Sequence, residues 1–177
     1  MRSLVGIAPD KVRRLGISRT FQAGRLFAAF TVRENIQAAA LGVGRNGRAI
    51  SSEVDGILDW LGLGRVAARR AAELPYSDQR RVGLARALVG PSRFVLIDEP
   101  AAGMSDGECV ELTALLRQIP TRFGAAVVLV EHNVRMVAEV CRSVHVLDRG
   151  QSIAHGTPGQ VLSDPIVIQA YLGSATE

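Results

Sequence analysis

The chain has 177 residues, of which 47% are apolar and only 5% aromatic, and it carries a net charge of +4. That apolar share suffices for a core and excludes a disordered chain, and its Ala, Val, Leu and Gly bias favours helices packed on buried strands over a β-sandwich. Basic residues occur as short pairs (Arg13-Arg14, Arg69-Arg70, Arg80-Arg81) rather than as a tail or patch, which argues against nucleic acid as a partner.

From the N-terminus, Arg19-Thr20-Phe21-Gln22 reads as a strand-like segment leading into the flexible pair Ala23-Gly24. Thr31 with Glu34 is a capping box, and a helix is expected to about Leu41. The Gly- and Arg-rich run from Gly42 to Ser52 reads as a loop. Val54, Ile57, Leu58 and Leu61 form a helical stripe, and a further helix is expected from Gln79 to Val89. Residues 23–90 therefore read as a helical subdomain inserted into an α/β core.

The strands are clearer beyond it. Phe94 to Ile97 and Ala126 to Val130 are continuous apolar runs, the pattern of strands buried on both faces of a parallel sheet. Val144 to Leu147 is a third. A helix opened by the Ser105/Glu108 capping box is expected to about Gln118. Another is capped by Asn133, with Val134, Val137, Ala138 and Cys141 as its stripe. This βαβαβ order predicts a right-handed parallel sheet. Two helix starts follow, at Thr157-Pro158 and Asp164-Pro165. Cys109 and Cys141 read as small buried side chains. The N-terminus has no signal-peptide pattern, and Ala125 to Val130, the longest strongly apolar run, is too short to span a bilayer. The expectation is a soluble cytoplasmic chain whose membrane role is peripheral.

Four segments carry chemistry. Asp98 and Glu99 end an apolar strand, which delivers two carboxylates to the carboxyl edge of a sheet, where α/β folds bind ligands. The first suits a hydrated Mg²⁺ and the second suits polarising a water, although the pair alone equally suits a solvated strand end. His132 also follows a strand end, a position from which it contacts a phosphate or serves only structure. Gln22 precedes a flexible pair, a position that would let it reach both a metal site and a partner surface, although the segment alone is a weak signal. Leu74-Pro75-Tyr76-Ser77-Asp78-Gln79 opens a helix, either as an anion site or simply as a turn capped by Ser77 or Asp78.

In this order and spacing the four segments resemble the ATP-binding subunits of ABC transporters. Gln22 matches the Q-loop, Leu74 to Gln79 the signature, Phe94 to Pro100 the Walker B strand, Ala101 to Asp106 the D-loop, and Glu131-His132 the H-loop. Arg19-Thr20-Phe21-Gln22, Thr31 to Asn35, Glu99 to Gly103 and the tail from His155 to Gly173 are most similar to the branched-chain amino acid (Liv-type) importers, although lipopolysaccharide-export ATPases look alike. The resemblance implies a P-loop NTPase-type α/β core that binds ATP and Mg²⁺. It assigns Asp98 and Gln22 to the metal, Glu99 and His132 to catalysis, and Gln22, Tyr76, Ser77, Asp78 and Gln79 to nucleotide. The implied partners are membrane permease subunits, a second ATPase subunit and, indirectly, a solute-binding protein, at the inner face of the membrane. The implied division is 1–22 as core up to the Q-loop, 23–90 as helical subdomain, 91–155 as α/β core and 156–177 as C-terminal extension.

Two departures stand out. No GxxxxGK[ST] phosphate loop occurs in the 177 residues. The resemblance places that loop before Met1, so the chain reads as truncated upstream of Gln22, with an exposed sheet edge. The family's Leu-Ser-Gly-Gly-Gln signature is here Leu74-Pro75-Tyr76-Ser77-Asp78, which removes a hydroxyl and sets the Asp78 charge beside the expected phosphate. These departures keep a second expectation open, a catalytically silent subunit that docks on a permease or on an intact ATPase.

Overall fold

The computed structural model describes residues 3–20, 25–45 and 47–173. The chain forms two compact units, Met1–Val130 and Glu131–Glu177.

In the first unit, α1 (Pro9–Arg14) leads into β1 (Ile17–Arg19), which pairs in parallel with β2 (Phe94–Asp98). β2 pairs in parallel with β3 (Ala126–Val130), in the order β1-β2-β3. Gly16 makes the entry to β1 possible. Its φ is +92°, its carbonyl accepts from Arg93 N at 2.7 Å and Phe94 N at 3.0 Å, and a Cβ there would lie 3.0 Å from Arg93 Cγ. β2 is the central strand and buries Val95 and Ile97. β3 differs from expectation. Its burial alternates, with Val128 and Val130 exposed, because it lies at the edge of the described sheet and one of its faces is uncovered.

Between β1 and β2 the chain is helical. α2 (Val32–Gly42) opens on the expected capping box, with Glu34 N donating to Thr31 Oγ1 at 3.1 Å and Thr31 N to Glu34 Oε2 at 2.8 Å. α3 (Arg48–Trp60) starts earlier than expected, so the loop is shorter. Gly47, at φ +85°, turns the chain into it, and the apolar stripe reaches back to a buried Ile50. Val54, Ile57, Leu58 and Leu61 are all buried, as their spacing predicts, each contributing about 1.5–3 kcal/mol. α4 (Tyr76–Leu88) also starts early. Pro75 is its N-cap, and its carbonyl accepts from Gln79 N at 3.0 Å, so neither Ser77 nor Asp78 caps it. Arg13 fastens the far end of α4, donating to Val89 O at 2.6 Å and Pro91 O at 2.9 Å, and its half-burial lowers the guanidinium pKa.

α5 (Asp106–Phe123) links β2 to β3 and runs past the expected end at Gln118, through Pro120, to Gly124 in the left-handed region. Burial of Leu112, Leu116 and Ile119, with Phe123 packed edge-on against Trp60 at 5.1 Å, holds the last turn despite the proline.

The second unit corrects the βαβαβ expectation. α6 (Val134–Val140) is capped by Asn133 Oδ1, which accepts from Met136 N at 3.0 Å, but Met136 rather than the expected stripe is its buried residue. β4 (Val144–Asp148) pairs antiparallel with β5 (Gln151–Gly156) in a separate two-stranded sheet. Only Arg149 and Gly150 join them, both at positive φ, and a two-residue turn permits no parallel crossover. α7 (Pro158–Leu162) and α8 (Pro165–Gly173) follow at the two expected starts. Cys109 and Cys141 are half-buried rather than buried.

Candidate functional site

The carboxyl end of β2 holds two of the expected residues. Asp98 N donates to Thr20 Oγ1 at 3.2 Å, and its carboxylate accepts from Arg19 Nη2 at 3.1 Å. Both partners come from β1 and its exit, because the register sets Arg19 beside Leu96. The ion pair is partly solvated, with the Asp98 side chain 32% exposed. Glu99 leaves the strand path at φ +42°, an uncommon conformation for a residue with a side chain, while its N–H donates to Val130 O at 2.9 Å. A carboxylate is thus held one residue beyond the last paired position. Asp98 and Thr20 also line a cavity of about 20 Å³ with Arg80, Leu84, Leu112 and Leu116, large enough for one water. Among the described residues the buried Nε of Arg80 has no hydrogen-bond partner.

The start of α4 holds four more expected residues. Tyr76 is half exposed; its ring lies 4.8 Å from the Arg80 guanidinium, which also donates to its hydroxyl. The D-loop approaches the same ring, since a Cβ on Gly103 would stand 3.4 Å from Tyr76 Cε1. The Ser77 hydroxyl hydrogen-bonds Glu108, and that bond, with those from Ser105 N and Oγ, brings the Glu108 pKa down to about 2. Gln79 turns back to Leu74, its Nε2 donating to the Leu74 carbonyl at 3.0 Å. Asp78 was expected to present its charge beside a phosphate. Its side chain is only 8% exposed and lies 3.9 Å from Arg65, so that charge is turned inward and partly offset.

In the second unit the His132 side chain is 69% exposed, with Nδ1 3.6 Å from the fully buried Glu131 carboxylate. Glu131 Oε1 accepts from His132 N at 3.0 Å and from Asn133 N at 3.1 Å. The Tyr171 hydroxyl donates to His132 O at 3.1 Å. Gln22 lies outside the described residues. The described residues thus bring Asp98 and Glu99 to one strand end, set Arg80 with Asp98 at one cavity, and seat Tyr76 against the D-loop and Ser77 against Glu108. Sequence reasoning missed Arg19, Arg65, Glu108 and Tyr171 as neighbours of these sites. Only Glu108 left a signal, its capping box with Ser105. Arg19 and Asp98 are 79 residues apart and no local pattern links them.

A family model described as ABC transporter matches residues 5–102, and one described as branched-chain amino acid ATP-binding cassette transporter matches residues 151–177. The high-affinity branched-chain amino acid transport ATP-binding protein LivG of Salmonella typhimurium is 35% identical over 189 residues, covering 98% of this chain and 74% of LivG. BraF of Pseudomonas aeruginosa, described in the same words, is 33% identical over 96% of this chain and 72% of its own length. Among solved structures, the ADP conformation of an ATP-binding cassette of an ABC transporter superposes with a TM-score of 0.82 at 24% identity, over 97% of this chain and 74% of that one. That likeness establishes the fold, a parallel-sheet ABC ATPase core. With the family model spanning most of the first unit and a relative matched along nearly the whole chain, this protein belongs to the ABC transporter family, among its ATP-binding proteins.

Proposed function

We propose that the chain is the ATP-hydrolysing subunit of an ABC importer for branched-chain amino acids or related small polar solutes. The observation that carries this reading is the Asp98-Glu99 pair at the end of β2, with Glu99 held at φ +42° beyond the ladder. Names of the relatives matched along the chain support the substrate class. In this reading Glu99 takes a proton from the attacking water and His132 contacts the terminal phosphate. The turn from Tyr76 to Gln79 meets nucleotide held by a second ATPase subunit, and Gln22 links the metal to the permease.

Asp98 fits a divalent cation. Its carboxylate is partly solvated and supplies the hard oxygen that Mg²⁺ prefers. Among the described residues no group of three or more His, Cys, Asp or Glu gathers, so a cation there keeps most of its water. Bound Mg²⁺ supplies charge neutralisation at the phosphates. Arg19 stands at the same carboxylate, and its ion pair would give way to a cation held by Asp98.

Docking on a permease at the inner membrane face is supported by the half-exposed Phe27 and Phe30, whose rings lie 5.2 Å apart. Asn35 stiffens that segment, accepting from Phe27 N at 2.9 Å and donating to Phe27 O at 3.0 Å. Among the described residues no helix is long and apolar enough to cross a membrane. The domain division proposed for this function keeps 23–90 as the partner-facing helical part and 156–177 as the C-terminal extension.

Reconstitution with permease and solute-binding protein in proteoliposomes tests the reading. ATP-dependent uptake of a branched-chain amino acid is expected, and Glu99→Gln lowers ATP hydrolysis by about 10²- to 10⁴-fold while nucleotide binding persists. A second reading, a catalytically silent subunit, is favoured by the Arg19–Asp98 ion pair and the Leu74 to Asp78 sequence. Hydrolysis unaffected by Glu99→Gln, with complex formation intact, would establish it instead.

A further inference from the structure

We propose that Tyr171, on the C-terminal helix α8, is a positioning residue that holds the His132 peptide and so sets where the exposed imidazole is presented. The inference rests on the reading of His132 as a phosphate contact. The Tyr171 hydroxyl donates to the His132 carbonyl at 3.1 Å, across 39 residues of sequence. From the other direction the buried Glu131 carboxylate accepts from His132 N at 3.0 Å and from Asn133 N at 3.1 Å. Asn133 in turn caps α6. The backbone of the loop is therefore held by its N–H groups on one side and its carbonyl on the other, while the ring reaches solvent.

α8 is a suitable anchor. Val167 is buried, and the helix packs on β5 and α7 within the same unit. Only the phenol oxygen of Tyr171 is needed at the loop, and the ring itself stays half exposed. A residue that must only fill space would bury its ring; one that must reach a carbonyl needs the donor at its tip. Holding a reacting group in place matters because small displacements of such groups cost rate. The C-terminal extension thereby gains a role in the nucleotide cycle: release or tilting of α8 loosens the His132 loop.

The test uses the full chain with uniform ¹³C and ¹⁵N labelling. A carbonyl that accepts a hydrogen bond polarises its peptide unit, so Tyr171→Phe is expected to move the His132 carbonyl ¹³C and Asn133 ¹⁵N resonances. Fluorotyrosine placed at Tyr171 acidifies the phenol, strengthens the donor and moves the same resonances in the opposite direction. It also keeps the test open if the Phe variant folds poorly. In hydrolysis, Tyr171→Phe lowers kcat roughly 2- to 10-fold at unchanged KM, the worth of one hydrogen bond. Unmoved His132 and Asn133 resonances in both variants overturn the inference. Moved resonances with hydrolysis indifferent to both His132→Ala and Tyr171→Phe leave the hold standing and overturn the reading of His132.

Discussion

Glu108 shows how one side chain joins two parts of the candidate site. It belongs to the N-terminal capping box of α5, yet its carboxylate also takes a hydrogen bond from Ser77, at the start of α4. That bond first, then those from Ser105 N and Oγ and the charge of Arg81, lower its pKa from 4.5 to about 2. Because the folded-state value is the lower one, the ionised form favours the fold. Its contribution is complete above about pH 4.5 and is lost as the pH falls towards 2. The denaturation midpoint is therefore expected to fall over that interval, and Glu108→Gln to flatten the fall. Glu34 shifts in the same direction, through its bond from Thr31 N, so a slope remaining in the Glu108→Gln variant belongs to such boxes. An unchanged slope in that variant would remove Glu108 from the account.

At the scale of elements, α5 carries a contradiction between local and tertiary signals. Pro120 lacks the N–H that would bond Leu116 O and crowds that carbonyl, which is why the pattern suggests a stop near Gln118. The helix continues because Ile119 is buried and Gly124 closes it in the left-handed region. Pro120→Ala is expected to raise stability by on the order of 1 kcal/mol, a restored hydrogen bond less the lost restriction of the unfolded chain. A urea titration measures it, and a loss of stability would show that the proline's shape is part of the packing. The β4–β5 hairpin is the opposite case. Asp148-Arg149-Gly150 carries turn residues, whereas the βαβαβ order ends at Leu147 and predicts no strand beyond it. The two-residue turn fixes β5 antiparallel to β4, and it is the pairing of β4 with β5 in a separate sheet that overturns the parallel expectation for β4.

Over the whole molecule, stability resides where helical stripes meet. Ile36 on α2 is wholly buried where α2 packs against α3 and α4. Ile36→Ala is expected to cost about 2–5 kcal/mol in a denaturant titration, and a loss below 1 kcal/mol would mean that α2 is loosely packed. Local periodicity and capping chemistry were sufficient, from the sequence alone, for the starts of α2, α5, α6, α7 and α8 and for β2 and β3, because those signals act within a few residues. The candidate carboxylates were legible for the same reason, since an apolar run ending in Asp98-Glu99 names its own strand end. Only the tertiary structure decided that Arg19 meets Asp98, that Asp78 turns inward towards Arg65, that Ser77 binds Glu108 and that Tyr171 reaches the His132 carbonyl. Each of those contacts joins residues brought together by sheet register or helix packing, and long-range proximity leaves no mark on the residues between.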